Sequence, residues 1–252
     1  MNSRQEQAEF KPLKEECFHF ACHRGVPCFT ECCARLRLIL APYDITRMKK
    51  RLGLTSDQFL NDYTETVIDR RHRFPLVKLK MNPDPKGACP FVTEEGCTIY
   101  DDRPEACRLY PIGRASAMPD GAAESNNTFF MVVEPHCQGF REKQVWSLEE
   151  WLNHEGVSEY AAMNDPWRGI VTSARSLGPE AHIPQKHQMF FMASYNLDKF
   201  RNFIFKSRFL DRFQVDAVLK EKLETDDVTL MRFGFDWLRF SLFGEKTIKI
   251  TL

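Results

Sequence analysis

The chain predicts an α+β fold, in which a small cysteine-rich, metal-binding α+β domain is joined to a mostly helical C-terminal half. Three observations carry that reading. Eight of the nine cysteines lie between Cys22 and Cys137, short strand and turn signals separate them, and beyond residue 146 large aromatics recur at helical spacing. A boundary near residue 145 therefore divides a cysteine-cluster domain, 1–145, from a helical region, 146–252. With 252 residues, 43% hydrophobic and 12% aromatic, the composition is that of a globular chain able to bury a core.

Taken in order, Asp44 reads as the N-cap of a short helix over 45–52, which Gly53 ends. Thr55, with Gln58 three residues on, is a capping box that opens a second helix through about Tyr63. Leu76–Met81 alternates as a half-buried strand does, and the Pro83–Gly87 turn cluster then delivers Cys89. Another tight turn at Glu94–Gly96 precedes Cys97. Asp102 and Glu105 have the spacing of a cap that places Cys107 in the first turns of a helix, where the positive end of the dipole favours a thiolate. Met118–Asn127 reads as a loop and Phe129–Val133 as a strand. Ser147–Glu150 is a further capping box, opening helix to Gly156 and on to Met163. In 190–213 and 230–243 the aromatic spacing is that of buried helix faces.

The cysteines point to thiolate chemistry at a metal. The first block is Cys22-His-Arg-Gly-Val-Pro-Cys28-Phe-Thr-Glu-Cys32-Cys33; Cys89, Cys97, Cys107 and Cys137 follow beside Gly and Pro. Soft thiolates suit zinc, iron and iron–sulfur clusters, commonly four to a site, so eight fill two sites of four or one larger cluster. Disulfides fit poorly: the N-terminus has no apolar signal region, which makes the cytoplasm the expected compartment, and a bond between vicinal Cys32 and Cys33 is strained. Buried thiols acting as small hydrophobes fit Cys17 alone. No Cys-x-x-Cys occurs, so any site is assembled from distant segments and its formation is coupled to folding.

These residues resemble a known family. The Cys-Cys block, Cys89-Pro-Phe, Cys97-x-Ile-Tyr100, Arg103-Pro-x-x-Cys107-Arg-x-Tyr-Pro111 and Cys137-x-Gly139 are similar to the cysteine-cluster proteins described as a zinc- or iron-chelating domain, a group that includes the flagellin lysine N-methylases. The resemblance implies Cys22, Cys28, Cys32, Cys33, Cys89, Cys97, Cys107 and Cys137 as metal ligands and leaves Cys17 out. The family's commoner first block is Cys-x-x-Cys-x-x-Cys-Cys, so the gap from Cys22 to Cys28 is a departure. It also implies an iron–sulfur cluster or iron, with zinc as the alternative, and a protein lysine N-methyltransferase activity that takes a protein substrate and S-adenosylmethionine.

Other features narrow the function. Lys plus Arg equals Asp plus Glu at 35 each, so nothing in the global charge calls for nucleic acid or an anionic membrane, and no apolar run reaches a membrane span. No Gly-x-Gly loop follows a strand, and the radical-type triplet Cys-x3-Cys-x2-Cys fails because Arg35 stands at its third position. An iron–sulfur protein that carries electrons or senses oxidants, and a zinc-stabilised binding module, are the alternatives to an enzyme. His23 and His136 adjoin ligand cysteines and are expected beside the metal rather than on it. Arg24, Arg35, Arg103, Arg108 and Arg114 are read as balancing thiolate charge, and Tyr100 and Tyr110 as packing around the site.

Overall fold

The computed structural model describes residues 8–13, 17–68, 73–117 and 126–251. In chain order its strands are β1 (Glu9–Pro12), β2 (Cys17–His19), β3 (Ile39–Leu40), β4 (Thr64–Val67), β5 (Leu76–Leu79), β6 (Val92–Thr93), β7 (Gly96–Cys97), β8 (Ile112–Ala117), β9 (Asn126–Val133) and β10 (Val145–Ser147). All pair antiparallel in four small sheets: β1-β9-β8, β10-β2, β3-β5-β4 and β6-β7. The helices are α1 (Pro42–Leu52), α2 (Ser56–Tyr63), α3 (Glu105–Leu109), α4 (Leu148–His154), α5 (Val157–Val171), α6 (Ile183–Tyr195), α7 (Leu197–Lys206), α8 (Phe209–Arg212), α9 (Ala217–Thr225) and α10 (Asp227–Phe243). The fold is α+β, and its C-terminal half is helical apart from β10.

Locally signalled elements form where the signals lie. Thr55 caps α2 by accepting the Gln58 N–H while the Gln58 carboxamide accepts the Thr55 N–H, and Ser147 and Glu150 do the same for α4. The Glu94–Glu95 turn closes the β6-β7 hairpin, and β5 is the middle strand of its sheet. Three boundaries differ from expectation. Helix α1 starts at Pro42, three residues before the expected start, because proline suits a first helical position whose N–H has no partner anyway; Asp44 lies inside, its carboxylate accepting the Ala41 N–H at 2.8 Å. Asp102 caps no helix: it ends a 3-10 turn, and its carboxylate receives the Arg47 guanidinium at 2.8 Å. Helix α5 continues past Met163 to Val171 through Pro166. Most of the expected 118–127 loop lies outside the described residues, and Asn126 and Asn127 already belong to β9.

Two apolar clusters hold these elements. The larger draws on both halves of the chain, with Leu40, Met48, Phe59 and Val77 from the first and Phe190, Phe200, Leu230 and Leu238 from the second. These aromatic and aliphatic faces are the helical stripes legible in 190–213 and 230–243. The smaller cluster joins Phe18, Phe20, Leu109 and Ile112 to Trp151 and Val157. Lys49, also buried, ties α1 to the C-terminal helices, donating to Ser56 Oγ at 3.1 Å and pairing with Asp227 at 2.9 Å.

Helix α10 crosses α6 and α7 at Gly234, where a methyl group would meet the Ala193 carbonyl oxygen at 2.8 Å and the Phe200 ring at 3.2 Å. Gly234→Ala is therefore expected to destabilise the fold by about 1–3 kcal/mol through overpacking, read as a lowered denaturant midpoint at unchanged m-value.

Candidate metal centre

The vicinal pair occupies a single 3-10 turn, Glu31–Cys33, with Thr30 and Arg35 in left-handed backbone conformations on either side. That tight path turns both thiols the same way, with their Sγ atoms 4.0 Å apart. On one flank the chain runs back to Cys22 and Cys28. The turn carrying Cys137 is bound against this segment: Gln138 N–H donates to Cys28 Sγ at 3.1 Å and Ala21 N–H to the Gly139 carbonyl at 3.2 Å. Glycine is required at 139, since a Cβ there would meet the Ala21 carbonyl oxygen and the Phe20 ring at 2.7 Å. On the other flank, Cys89 N–H donates to the Cys33 carbonyl at 2.8 Å, and the β6-β7 hairpin presents Cys97. Helix α3 brings Cys107.

Two cavities border these thiols. Cys22, Cys28, Cys32 and Cys137 line a small one of about 10 Å³ with Tyr110 and His136, room for one water-sized body. Cys22, Cys32, Cys33, Cys89, Cys97 and Cys107 border a wide one of about 1280 Å³, whose lining also includes Trp151, Trp167, Glu134 and Arg168. Cys17 lies apart, exposed on β2 rather than buried as its sequence context suggests; strand alternation turns its neighbour Phe18 inward instead. All nine cysteines are free thiols.

Crowding makes these thiols hard to ionise without a cation. Burial, reinforced by Cys32, Cys28 and Cys137, pushes the Cys22 thiol up to about 12, and burial pushes Cys89 up to about 11. Cys32 is raised above the usual thiol range, first by its contact with Cys33 and then by burial. Cys107 is raised by burial and by Cys89, Cys32 and Cys97, the reverse of the ionising effect expected from its place near a helix start; five residues of helix carry too little dipole to offset that crowding. A bound metal ion reverses this balance, because a coordinating thiol is deprotonated outright.

The neighbouring polar residues divide between scaffold and site. Arg24 donates to the Glu95 carbonyl, Arg35 to Pro85, and Arg108 to the carbonyls of Arg103, Asp101 and Glu155, so these guanidiniums stitch loops together. Arg103 pairs with Glu155, stacks 3.8 Å over Tyr100 and pulls the Cys97 thiol down against the larger upward effect of burial. Arg114 binds Glu105. His23 is exposed, accepting the Gly25 N–H, whereas His136 Nε2 is buried at the small cavity with no hydrogen-bond partner. Tyr110 Oη is likewise buried, with the Cys137 thiol beside it as its one polar neighbour of hydrogen-bonding kind. Sequence reasoning passed over Glu134, whose carboxylate stands 3.7 Å from His136 and acts on Cys32; its only signal was a place three residues before Cys137. It also passed over the buried support beneath α3. Glu105 accepts from Arg168 at 2.6 Å, from Asn164 at 3.0 Å and from Arg114, while its N–H donates to Asp44, whose carboxyl is pushed up to about 7 by burial and the Glu105 charge.

This donor set fits a thiophilic metal in kind: eight free thiols border two adjoining cavities, and the buried, unpartnered His136 Nε2 lies at the smaller one. Among the described residues, no three His, Cys, Asp or Glu side chains are already drawn together as around an ion. Ligation therefore calls for side-chain rotation within these cavities.

A thiol-lined site assembled from separate short strands and turns defines a cysteine-cluster metal-chelating domain. Residues 21–138 match the model of the CxxCxxCC family, described as a putative zinc- or iron-chelating domain. The matched segment contains the eight clustered cysteines and leaves out Cys17. No curated protein and no solved structure matches the chain at a significant level. Among the described residues no helix is long and apolar enough to cross a membrane.

Proposed function

We propose that Cys22, Cys28, Cys32, Cys33, Cys89, Cys97, Cys107 and Cys137 bind iron, as ions or as an iron–sulfur centre, and that the metal serves a reaction on a ligand held in the wide cavity. The observation that carries this reading is that six of those thiols border a cavity of about 1280 Å³, beyond the space a purely structural metal needs. Indole rings and paired charges share that lining, which suits a side chain delivered by a protein substrate. Lysine N-methylation with S-adenosylmethionine is the particular reaction we propose, on the family resemblance. With no Gly-x-Gly loop after a strand, the methyl donor would have to occupy the wide cavity too.

A second reading, zinc that holds the fold together in a binding module, is favoured by the packing of Cys89, Cys97 and Cys107 against the larger core. Protein purified without air decides between them. Iron with acid-labile sulfide and visible absorption is the result expected, and it leads to binding assays with S-adenosylmethionine; an electron-carrying or oxidant-sensing protein would instead show reversible bleaching without methyl-donor binding. Colourless protein containing zinc supports the binding module. Protein with neither metal defeats both readings.

A further inference from the structure

We propose that the eight cysteines make two separate four-thiolate centres rather than one large cluster: Cys22, Cys28 and Cys137 in the first, Cys89, Cys97 and Cys107 in the second, with the vicinal pair Cys32-Cys33 between them supplying the fourth thiolate of each. The division rests on the metal reading above and on how the segments are joined. Within the first set, the Cys137 turn is hydrogen-bonded to the Cys28 thiol and to the strand leading into Cys22, and all three thiols border the small cavity. Within the second, Cys89 is hydrogen-bonded to the backbone of Cys33, and Cys97 stands across the β6-β7 hairpin from Val92, three residues after Cys89. Cys107 completes that set on α3.

The two sets rest on different foundations. Cys89, Cys97 and Cys107 pack against the larger apolar core, and Cys137 against the smaller. Neither Cys28 nor Cys137 borders the wide cavity, and none of Cys89, Cys97 and Cys107 borders the small one. Cys22 and Cys32 border both cavities, and the Cys32 thiol stands 4.0 Å from that of Cys33. A tetrahedral metal satisfies its ligands within one short radius, so thiols that line separate cavities on separate cores complete separate spheres. The first centre lies at the small cavity beside Tyr110 and His136 and reaches the wide cavity through Cys22 and Cys32; the second lies at the wide cavity alone.

Titration of the metal-free full chain with Co²⁺ under argon, followed by the visible bands of thiolate-bound cobalt, tests the division. The expected end point is two equivalents for the wild type and one for each of Cys28→Ser, Cys137→Ser, Cys89→Ser and Cys97→Ser; the double variant Cys28→Ser/Cys97→Ser should bind none. A wild-type end point of one equivalent overturns the division without recourse to any variant. So does loss of all cobalt binding from a single substitution in either set when the far-UV circular dichroism is unchanged. A wild type that binds no Co²⁺ overturns the metal reading itself along with the division.

Discussion

Cys32→Ala is expected to cost the protein one of its two metal centres, and to lower thermal stability with it. Its thiol stands 4.0 Å from that of Cys33, borders both cavities and has neighbours in both flanking sets of cysteines. Structural metal sites contribute on the order of 10–16 kcal/mol of apparent binding free energy, comparable with the roughly 5–15 kcal/mol that separates a folded domain from its unfolded chain. Losing a ligand therefore removes a large part of what holds the segments of its own centre together. Elemental analysis of the purified variant, with melting curves in the presence and absence of a chelator, measures both effects. Cys17→Ala is the control: this thiol is exposed on β2 and lies outside the matched domain, so metal and melting temperature should stay at wild-type values. Equal metal in the two variants would sink the ligand assignment.

The second large effect is expected where no cysteine is touched. Glu105 is 6% exposed and receives Arg114, Arg168 and Asn164, so Glu105→Ala leaves buried guanidinium groups without their carboxylate. Breaking a buried pair from one side costs about 3–5 kcal/mol, because the remaining charge stays desolvated. The backbone N–H of residue 105, which alanine keeps, still donates to Asp44 on α1, so the variant removes only the side-chain contacts that brace α3 two residues before Cys107 at the wide cavity. Chemical denaturation should show the full loss of stability, and metal content should fall with it. Asp165→Asn is the contrasting change. Asp165 is 37% exposed at its side chain and pairs with Arg168 at 2.9 Å, so its removal should cost no more than about 1 kcal/mol. A Glu105→Ala variant as stable as Asp165→Asn would show that the buried network contributes little.

What could be read in advance follows from the range of the forces involved. The capping boxes at Thr55 and Ser147 were legible because donor and acceptor sit three residues apart, whatever the rest of the chain does. Asp102 was misread by the same logic: its spacing to Glu105 imitates a cap, but Arg47, 55 residues away, binds that carboxylate and Pro104 starts the helix instead. Cys17 looked like a core thiol because it lies outside the clustered motifs and next to Phe18, and strand pairing of β2 with β10 turned it to the surface.

By itself the sequence determined the kind of chemistry and the local frame. Thiolates select zinc or iron by their softness, the aromatic stripes of 190–213 and 230–243 must bury a face, and the turns beside Gly and Pro carry ligand cysteines. Only the tertiary structure decided which cysteine-bearing segments adjoin. No Cys-x-x-Cys holds two of them together locally, so their grouping depends on long-range contacts: the Cys137 turn against Cys28, Cys89 against Cys33, and α3 held on α1 by Asp44 and Glu105. The helical half packs into the core it shares with α1 and β5, and it supplies Trp151, Trp167 and Arg168 to the wall of the wide cavity beside the thiols.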